Sequence, residues 1–231
     1  MKIEGELKQG TFIQRINRFA CLVEVEGSQA NAYLPNPGRL QELLTHGAQV
    51  LLRKGGAGRK TCYDLIGVKA GETWVSVDSR VPNALFKEAL EQGRLAEFKG
   101  YHIAREEVAF GKSRLDFLLE PPALVEVKSC TLVKEGIAKF PDAPTARGRR
   151  HLFELIEAKN AGYRSAVVFV IQRGDAFAFA PNDATDEAFG EALREAHRRG
   201  VEVLAYRCSF DGKEIEIAER VRVVLSDDIQ K

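Results

Sequence analysis

The sequence predicts a mixed α/β (α+β) protein in two parts, a small β-barrel followed by a domain of helices and strands. Residues 11–78 hold six short runs rich in β-branched and aromatic residues, separated by turn residues. From about residue 81, helical patterns alternate with strand patterns. The 231 residues, of which 45% are hydrophobic and 29% charged, suffice for two modest domains.

The first predicted domain spans residues 1–80. Its strand-like runs are TFIQRI, ACLVEVEG, NAYLP, AQVLLR, CYDLIGVKA and TWVSVD. One helical segment, GRLQELL at 38–44, interrupts them. Many short strands with one internal helix favour an OB-like barrel, and a plain β-sandwich is the alternative.

The second predicted domain spans residues 81–231. A helix is predicted over 82–92, because Pro82 suits a first helical turn and Gly93 a stop. A strand over about 101–110 and the two runs of SRLDFLLEPPALVEVK follow. A helix over 145–160 with Thr145 as N-cap comes next. SAVVFVIQ has the pattern of a strand buried on both faces, and a helix near 185–200 and strands near 201–210 and 213–219 complete the chain.

Composition restricts the class of protein. The net charge of +1 does not by itself predict a nucleic-acid partner. No apolar run approaches the roughly 20 residues of a membrane span, and the start MKIEGELKQG lacks the apolar core of a signal peptide. We therefore expect a cytoplasmic protein. The four cysteines are far apart and show no C-x-x-C spacing, which argues against a zinc site.

Three charged residues, Asp116, Glu126 and Lys128, interrupt strands that should be mostly buried. Such residues are costly to bury unless they are paired or bind a metal. If the turn is centred on Pro121, antiparallel pairing puts residue 116 opposite residue 126, and residues two apart on a strand share a face. The three side chains then converge, whereas a register shift of one residue would separate them.

This convergence predicts a metal site. Two opposed carboxylates repel each other unless a cation compensates them. Asp116 and Glu126 suit Mg²⁺ or Mn²⁺, and Lys128 would orient or activate the water that attacks a phosphate. Glu88, or else Glu91, is the candidate for a further acid from the helix at 82–92. The alternative is an ordinary ion pair of Lys128 with one acid, and the residues alone favour neither.

A basic helix start follows this site in KFPDAPTARGRRHLFELIEA. Arg147, Arg149 and Arg150 fall in its first turn, where free backbone amides and arginines can hold a phosphate. Asp142 and His151 are candidates for a metal contact or a proton carrier. The alternative makes Asp142 a loop cap and His151 a surface residue of the helix, and we favour that alternative for His151.

Basic residues of the first domain are candidate contacts for a nucleic-acid backbone. They are Arg39, in the turn LPNPGRL, and Arg53, Lys54, Arg59 and Lys60, in the glycine-rich loop RKGGAGRK. A solvated hairpin tip explains that loop equally well. Phe12, Phe19 and Tyr33 offer faces on which bases can stack, but we expect them to pack in the core.

Five segments, LPNPGRLQELL, SRLDFLL, VEVKSCTL, FPDAPTARGRRHLFEL and VVFVIQR, resemble the sugar fermentation stimulation protein A family over nearly the whole chain. The resemblance implies an OB-like barrel joined to a restriction-endonuclease-like domain. It also implies DNA binding without strong sequence preference and a role in regulating maltose metabolism. The restriction-like pattern, an acid on one strand and acid-x-lysine on the next, falls on Asp116, Glu126 and Lys128.

We therefore expect a protein that binds DNA, or RNA, and holds a Mg²⁺-dependent phosphodiesterase site of the nuclease type in its second domain. The alternative is a non-catalytic DNA-binding regulator with the same fold. A carbohydrate enzyme has little support, since no nucleotide-binding glycine motif occurs. No membrane partner is expected, and the oligomeric state stays open, a dimer included.

Overall fold

The computed structural model of the chain describes residues 1–56 and 58–225. Ala57 of the basic loop and residues 226–231 at the end of the second predicted domain lie outside the described residues. Within the described part, no helix is long and apolar enough to cross a lipid bilayer.

Five strands of the first part close into a barrel. They are β1 (Leu7–Asn17), β2 (Ala20–Val25), β3 (Ser28–Tyr33), β4 (Gln49–Lys54) and β5 (Tyr63–Ala70). Neighbouring strands follow the order β3-β2-β1-β4-β5, and a parallel pairing of β3 with β5 closes the ring. A short strand, β6 (Thr73–Ser76), continues from β5. The OB-like barrel is confirmed, and the alternative of a plain sandwich is wrong.

Alternating side chains fill the barrel. In β2, Cys21, Val23 and Val25 are buried while Glu24 is exposed. Leu52 of β4 and residues of β1 and β5 join the same core. This period of two is what the apolar pattern predicted, since every second residue of a strand faces the same side.

The predicted helix at 38–44 is wrong, because these residues form only a turn. The amides of Leu43 and Leu44 both donate to the carbonyl of Leu40. Leu40 has a φ of 52°, which lies outside the right-handed helical region. The amides of Arg39 and Leu40 donate to Oδ2 of Asp142 at 2.9 and 3.4 Å. This long-range acceptor overrides the local helical preference.

The second part is built on a mixed six-stranded sheet. The strands after β6 are β7 (His102–Phe110), β8 (Ser113–Glu120), β9 (Ala123–Cys130), β10 (Val133–Lys134), β11 (Ile137–Phe140), β12 (Arg164–Ile171), β13 (Ala178–Pro181), β14 (Glu202–Phe210), β15 (Ile215–Arg220) and β16 (Arg222–Val223). The large sheet has the order β15-β14-β12-β9-β8-β7, with β9, β12 and β14 parallel. A small sheet has the order β10-β11-β13-β16.

Three α-helices accompany this sheet, and all three were predicted. They are α1 (Val81–Glu91), α2 (Ala146–Asn160) and α3 (Asp183–Arg198), with a short 3₁₀ helix at Ala96–Phe98. Gly93 follows α1 with a φ of 68°, a conformation that suits glycine. Oγ1 of Thr145 accepts the amide of Gly148 at 3.0 Å, so Thr145 caps α2 as expected.

Helices cover both faces of the large sheet. Leu85 and Phe86 of α1 pack on one face, in a core that also holds Val168 of β12. Leu152 of α2 and Phe189 of α3 pack on the other. The central strand β12 is therefore buried on both sides, as its continuous apolar run indicated.

The barrel is joined to the second part by packing and hydrogen bonds. Leu51 and Ile66 of the barrel belong to the core beneath α1. Ser76 of β6 donates its amide to the carbonyl of Gln172 and its hydroxyl to Oε1 of that residue, both at 3.0 Å. Together with the contact between Asp142 and the turn at 38–44, these bonds fix the barrel against the strand ends that carry the charged residues.

Candidate active site

The strands β8 and β9 stop pairing where Asp116 and Glu126 lie. Their antiparallel pairing ends at Phe117 and Val125, and one further step places residue 116 opposite residue 126. This is the register expected for a turn centred on Pro121. Beyond the last pair, Oδ2 of Asp116 accepts the amide of Val127 at 2.7 Å. A side-chain carboxylate thus takes the place of a backbone acceptor, and the strand ends open around it.

Asp116 is also held by α1, and its surroundings disfavour its charge. Nδ2 of Asn83 donates to Oδ1 of Asp116 at 2.9 Å. Burial is the main cause that raises the pKa of Asp116 to about 6, and the negative charge of Glu126 adds to it. The amides of Val127 and Asn83 and the charge of Lys128 act in the opposite direction but do not prevail.

Glu126 is a buried carboxylate with one oxygen paired and one free. It is 4% exposed, and its Oε1 contacts both Nζ of Lys128 and Nδ1 of His151. Burial acts to raise its pKa, but the hydrogen bonds from His151 and Lys128 and the charge of Lys128 outweigh burial and hold that pKa below the usual value. Its Oε2 is buried and has no hydrogen-bond partner among the described residues.

His151 connects this carboxylate to the basic start of α2. Nε of Arg147 donates to Nε2 of His151 at 3.3 Å. Because a guanidinium only donates, Nε2 is the unprotonated ring nitrogen and the proton of the neutral imidazole lies on Nδ1. Nδ1 therefore donates to Glu126, and Nζ of Lys128 lies 3.4 Å away from it. The ring holds the carboxylate of Glu126 in one orientation, in which Oε2 has no hydrogen-bond partner among the described residues.

The unpaired Oε2 of Glu126 fits a divalent cation. A buried carboxylate oxygen without a partner is costly, and a cation is the partner that such an oxygen prefers. A cation between Glu126 and Asp116 would also relieve their mutual repulsion. Among the described residues, no group of three or more His, Cys, Asp and Glu side chains is arranged to hold a metal ion. Only two carboxylates are therefore offered, and water or substrate oxygens would complete the shell.

Family models match both parts of the chain. Residues 13–77 match the SfsA N-terminal OB domain. Residues 80–214 match the sugar fermentation stimulation protein RE domain, where RE denotes the restriction-endonuclease-like fold. The chain belongs to the sugar fermentation stimulation protein (SfsA) family. Both domain types are consistent with DNA binding.

Relatives in this family match along the whole chain. The sugar fermentation stimulation protein homolog of Moorella thermoacetica is 48% identical over 97% of this chain and 100% of the relative. The homolog of Caldanaerobacter subterraneus is 46% identical with the same coverage. The structure of Pyrococcus furiosus SfsA in complex with Ca²⁺ superposes with a TM-score of 0.90 at 32% identity, over 97% of this chain and 98% of that one.

Neither helix acid predicted for the site joins it in this SfsA-family chain. Oε2 of Glu88 lies 2.9 Å from the amino group of Met1, and Glu91 is exposed. The residue of α1 that reaches Asp116 is Asn83. Five positions separate residues 83 and 88, which is about 140° around a helix axis, so they face different sides. The choice of Glu88 is therefore wrong, and the sequence pattern did not indicate Asn83.

The three arginines of the α2 start contact different groups. Arg147 contacts His151 and so reaches the acidic site. NH1 of Arg149 lies 3.2 Å from Oδ1 of Asp186, which is buried. Nε of Arg150 donates to the hydroxyl of Ser113 at 2.9 Å. Of the three, only Arg147 is brought to the acidic site by a hydrogen bond.

The basic residues predicted on the barrel are partly engaged with the protein itself. Arg53 and Arg59 both pair with the buried Asp64, at 2.9 and 2.6 Å. Lys54 pairs with Glu6 at 2.9 Å. Lys60 and Arg39 are exposed, and no ion pair joins either to another described residue. Lys60 and Arg39 therefore keep their charges available to solvent.

The interpretations of His151, Phe19 and Tyr33 are wrong. His151 is 2% exposed and is not a surface residue of α2. Its spacing could have revealed this, since it lies four positions before Leu155 on the buried face. Phe12 packs in the core as expected. Phe19 is 42% exposed and stacks on Tyr33, and neither of these two rings belongs to the core of the barrel. Asp142, in contrast, caps the turn at 38–44, as the loop-cap alternative held.

Proposed function

We propose that this chain binds nucleic acid and that its second domain hydrolyses phosphodiester bonds with Mg²⁺ or Mn²⁺. The observation that carries the proposal is the buried, unpaired Oε2 of Glu126 beside Asp116 and Lys128. The Pyrococcus furiosus relative was solved in complex with Ca²⁺, which supports a divalent cation in this family. The OB and restriction-endonuclease-like domains support nucleic acid as the substrate class.

Each residue of the site has a separate task in this proposal. Asp116 and Glu126 would hold the cation, which supplies positive charge beside the scissile phosphate when bound. Lys128 places an ammonium group next to the same carboxylate, where it orients the attacking water and stabilises negative charge. His151 is a positioning residue, because its Nδ1–H holds Oε1 of Glu126 and leaves Oε2 for the cation.

Exposed basic groups supply the sequence-independent part of binding. Arg39 and Lys60 on the barrel side and Arg147 beside the site can each contact a phosphate. Since the net charge is only +1, attraction depends on these local groups rather than on the whole molecule. Affinity for nucleic acid should therefore fall steeply as salt is added.

One observation favours the alternative, a DNA-binding regulator without catalysis. Oε1 of Glu126 is already compensated by Lys128 and His151, so part of the acidic charge is balanced inside the protein. In that case the three residues stabilise the strand ends, and the protein acts by occupying DNA, as a regulator of sugar or maltose metabolism would. This alternative predicts salt-sensitive binding and no turnover with any divalent metal.

The two functions are separated by a cleavage panel. Purified protein is incubated with labelled single-stranded, duplex and branched DNA and with RNA, in Mg²⁺, in Mn²⁺ or in EDTA. We expect metal-dependent cleavage that disappears in Asp116→Asn, Glu126→Gln and Lys128→Met. Glu216→Gln is the matched control, because Glu216 is an exposed acid at the opposite edge of the sheet, paired with Arg94.

Metal binding is measured separately by calorimetry with Mn²⁺. We expect binding to the original protein and to Glu216→Gln, and a loss of affinity in Glu126→Gln. Cleavage that persists unchanged in Asp116→Asn and Lys128→Met would remove the catalytic assignment. Nucleic-acid binding without cleavage of any substrate would support the regulator.

A further inference from the structure

Two aromatic rings stack on the outside of the barrel. Phe19, in the turn between β1 and β2, keeps 42% of its surface exposed. Its ring centroid lies 6.5 Å from that of Tyr33, at the end of β3, with 29° between the ring planes. Neither ring belongs to the hydrophobic core of the barrel. Ile16, close to the same turn, is 51% exposed. Packing within the protein does not account for so much apolar surface at one turn.

Arginines surround this aromatic pair, Phe19 and Tyr33. The guanidinium of Arg18 lies 5.4 Å from the ring centroid of Phe19. Those of Arg59 and Arg80 lie 5.9 and 6.0 Å from the ring centroid of Tyr33, and each is held in place by an aspartate. No ion pair joins Arg18 to another described residue. An exposed ring and a half-buried ring with arginines beside them are suited to a flat base that carries a phosphate.

We infer that the aromatic pair is a stacking platform for unpaired bases, and that the chain therefore takes single-stranded nucleic acid. Every base has a face that stacks on an aromatic ring, so this contact does not depend on sequence. A duplex hides those faces within its own stack, whereas a single strand or a frayed end presents them. The arginines around the rings can then contact the phosphates on either side of the stacked base.

A cleft is lined by residues next in sequence to the platform and to the acidic site. It has a volume of ≈ 260 Å³ and lies between the barrel and the second domain. Arg18 and Gly38 line it on the barrel side, and Ser129 and Thr145 line it on the other. Ser129 is the residue after Lys128, and Thr145 caps the helix that carries Arg147 and His151. In our proposal a strand stacked at Phe19 enters this cleft at Arg18 and passes Ser129, the neighbour of Lys128.

A second connection runs through α1. Arg80, whose guanidinium faces Tyr33, directly precedes α1, and Asn83 in the first turn of that helix holds Asp116. The platform and the acidic site thus lie at the two ends of one short rigid segment. The delivery of a strand to this site rests on the proposed function, whereas the stacking of bases at Phe19 and Tyr33 does not.

The test is binding in EDTA, so that catalysis plays no part in it. Fluorescence anisotropy is recorded with a labelled oligothymidylate, an oligouridylate and a DNA duplex of the same length, with full-length protein. In Phe19→Ala and Tyr33→Ala we expect affinity for the single strands to fall by roughly 5- to 150-fold, with little change for the duplex. The two single strands show whether DNA or RNA is preferred.

Matched variants separate stacking from general damage. Phe153→Ala and Phe177→Ala remove rings that are 52% and 62% exposed elsewhere on the molecule, and they should leave binding unchanged. Phe19→Tyr and Tyr33→Phe keep a ring and should keep the affinity. As a second measurement, an oligonucleotide with 5-iodouracil is cross-linked by light, and the modified residue is expected to be Phe19 or Tyr33.

The outcomes distinguish the platform from the proposed catalysis. Equal losses for duplex and single strands, unchanged affinity in Phe19→Ala and Tyr33→Ala, or cross-links confined to Phe153 or Phe177 would overturn the platform. If the platform fails while metal-dependent cleavage persists, the proposed function stands. If stacking is found but no substrate is cleaved, the platform stands and the catalytic proposal fails.

Discussion

At the scale of single residues, the site consists of buried charged side chains that lower the stability of the folded state. Asp116 is kept in surroundings that favour its neutral form, while Glu126 is kept ionised by His151 and Lys128. Two acids close enough to repel each other thus have opposite pKa shifts because their partners differ. Groups arranged this way are typical of functional sites, where local stability is given up for binding or chemistry.

Asp116→Asn is expected to stabilise the metal-free protein at pH 8. The pKa of Asp116 is raised from 3.8 to about 6, so the folded state loses stability as pH rises between these two values, where the carboxyl ionises only in the unfolded chain. The free energy of unfolding of Asp116→Asn should equal that of the original protein near pH 4. The difference should grow between about pH 4 and 6 and then stay constant at ~1–3 kcal/mol. Urea unfolding in EDTA at pH 4 and pH 8 measures it.

The control variant, Asp175→Asn, is expected to change stability in the opposite direction. Arg173 lowers the pKa of Asp175 through a hydrogen bond. The charged form of Asp175 therefore stabilises the fold, and Asp175→Asn should lose stability at pH 8. If Asp116→Asn and the original protein were equally stable at pH 8, the charge of Asp116 would not destabilise the folded state.

His151→Ala is expected to lower the free energy of unfolding by ~2–4 kcal/mol. Among the described residues, the change leaves the buried Glu126 with Lys128 as its one remaining partner, and it opens a cavity beneath α2. His151→Gln keeps a donor and should lose less. Phe153→Ala, on the exposed face of the same helix, is the control and should change stability by no more than about 0.5 kcal/mol. If His151→Ala changed the free energy of unfolding as little as Phe153→Ala, the buried contact between His151 and Glu126 would be contradicted.

At the scale of elements, the start of α2 and the ends of β8 and β9 determine the geometry of the site. The helix begins at a well-made cap, and its first two turns present Arg147 and His151 toward β9. The strands contribute acids because their pairing ends one step before Asp116. Regular elements thus supply rigidity, and their ends supply unpaired groups for function.

Thr145→Ala is expected to cost ~1 kcal/mol of stability through the loss of the cap on Gly148. Thr145→Ser keeps the hydroxyl and should retain most of that stability. Denaturant unfolding of the two variants is the measurement. If the alanine and serine variants were equally destabilised, the methyl group rather than the hydroxyl would be responsible.

At the scale of the whole molecule, the barrel and the second domain are joined around one cleft. Asp142 of the second domain accepts two amides from the turn at 38–44, and Ser76 of the barrel bonds to Gln172. These bonds fix the barrel beside the acidic strand ends. Under the proposed function, a strand of nucleic acid bound to one domain would be held near the other.

Asp142→Ala is expected to loosen this junction. Two amides lose their acceptor, so hydrogen exchange at Arg39 and Leu40 should become faster, while β1 to β3 exchange as before. A local loss of ~1–3 kcal/mol is anticipated for the unpaired groups. Exchange followed by mass spectrometry measures this, and unchanged rates at the turn would show that Asp142 does not hold it.

Local sequence patterns predicted the strands of the barrel, the three helices and the importance of Asp116, Glu126 and Lys128, and a turn centred on Pro121 predicted the register of β8 against β9. Periods of 2 and 3.6 residues and strong turn or cap residues are local signals, so a single chain reveals them. The tertiary structure shows what these patterns missed: residues 38–44 form a turn, His151 is buried against Glu126, Asn83 rather than Glu88 meets Asp116, and Phe19 stays exposed. Each of these depends on a partner far away in the sequence, and local patterns do not specify such partners.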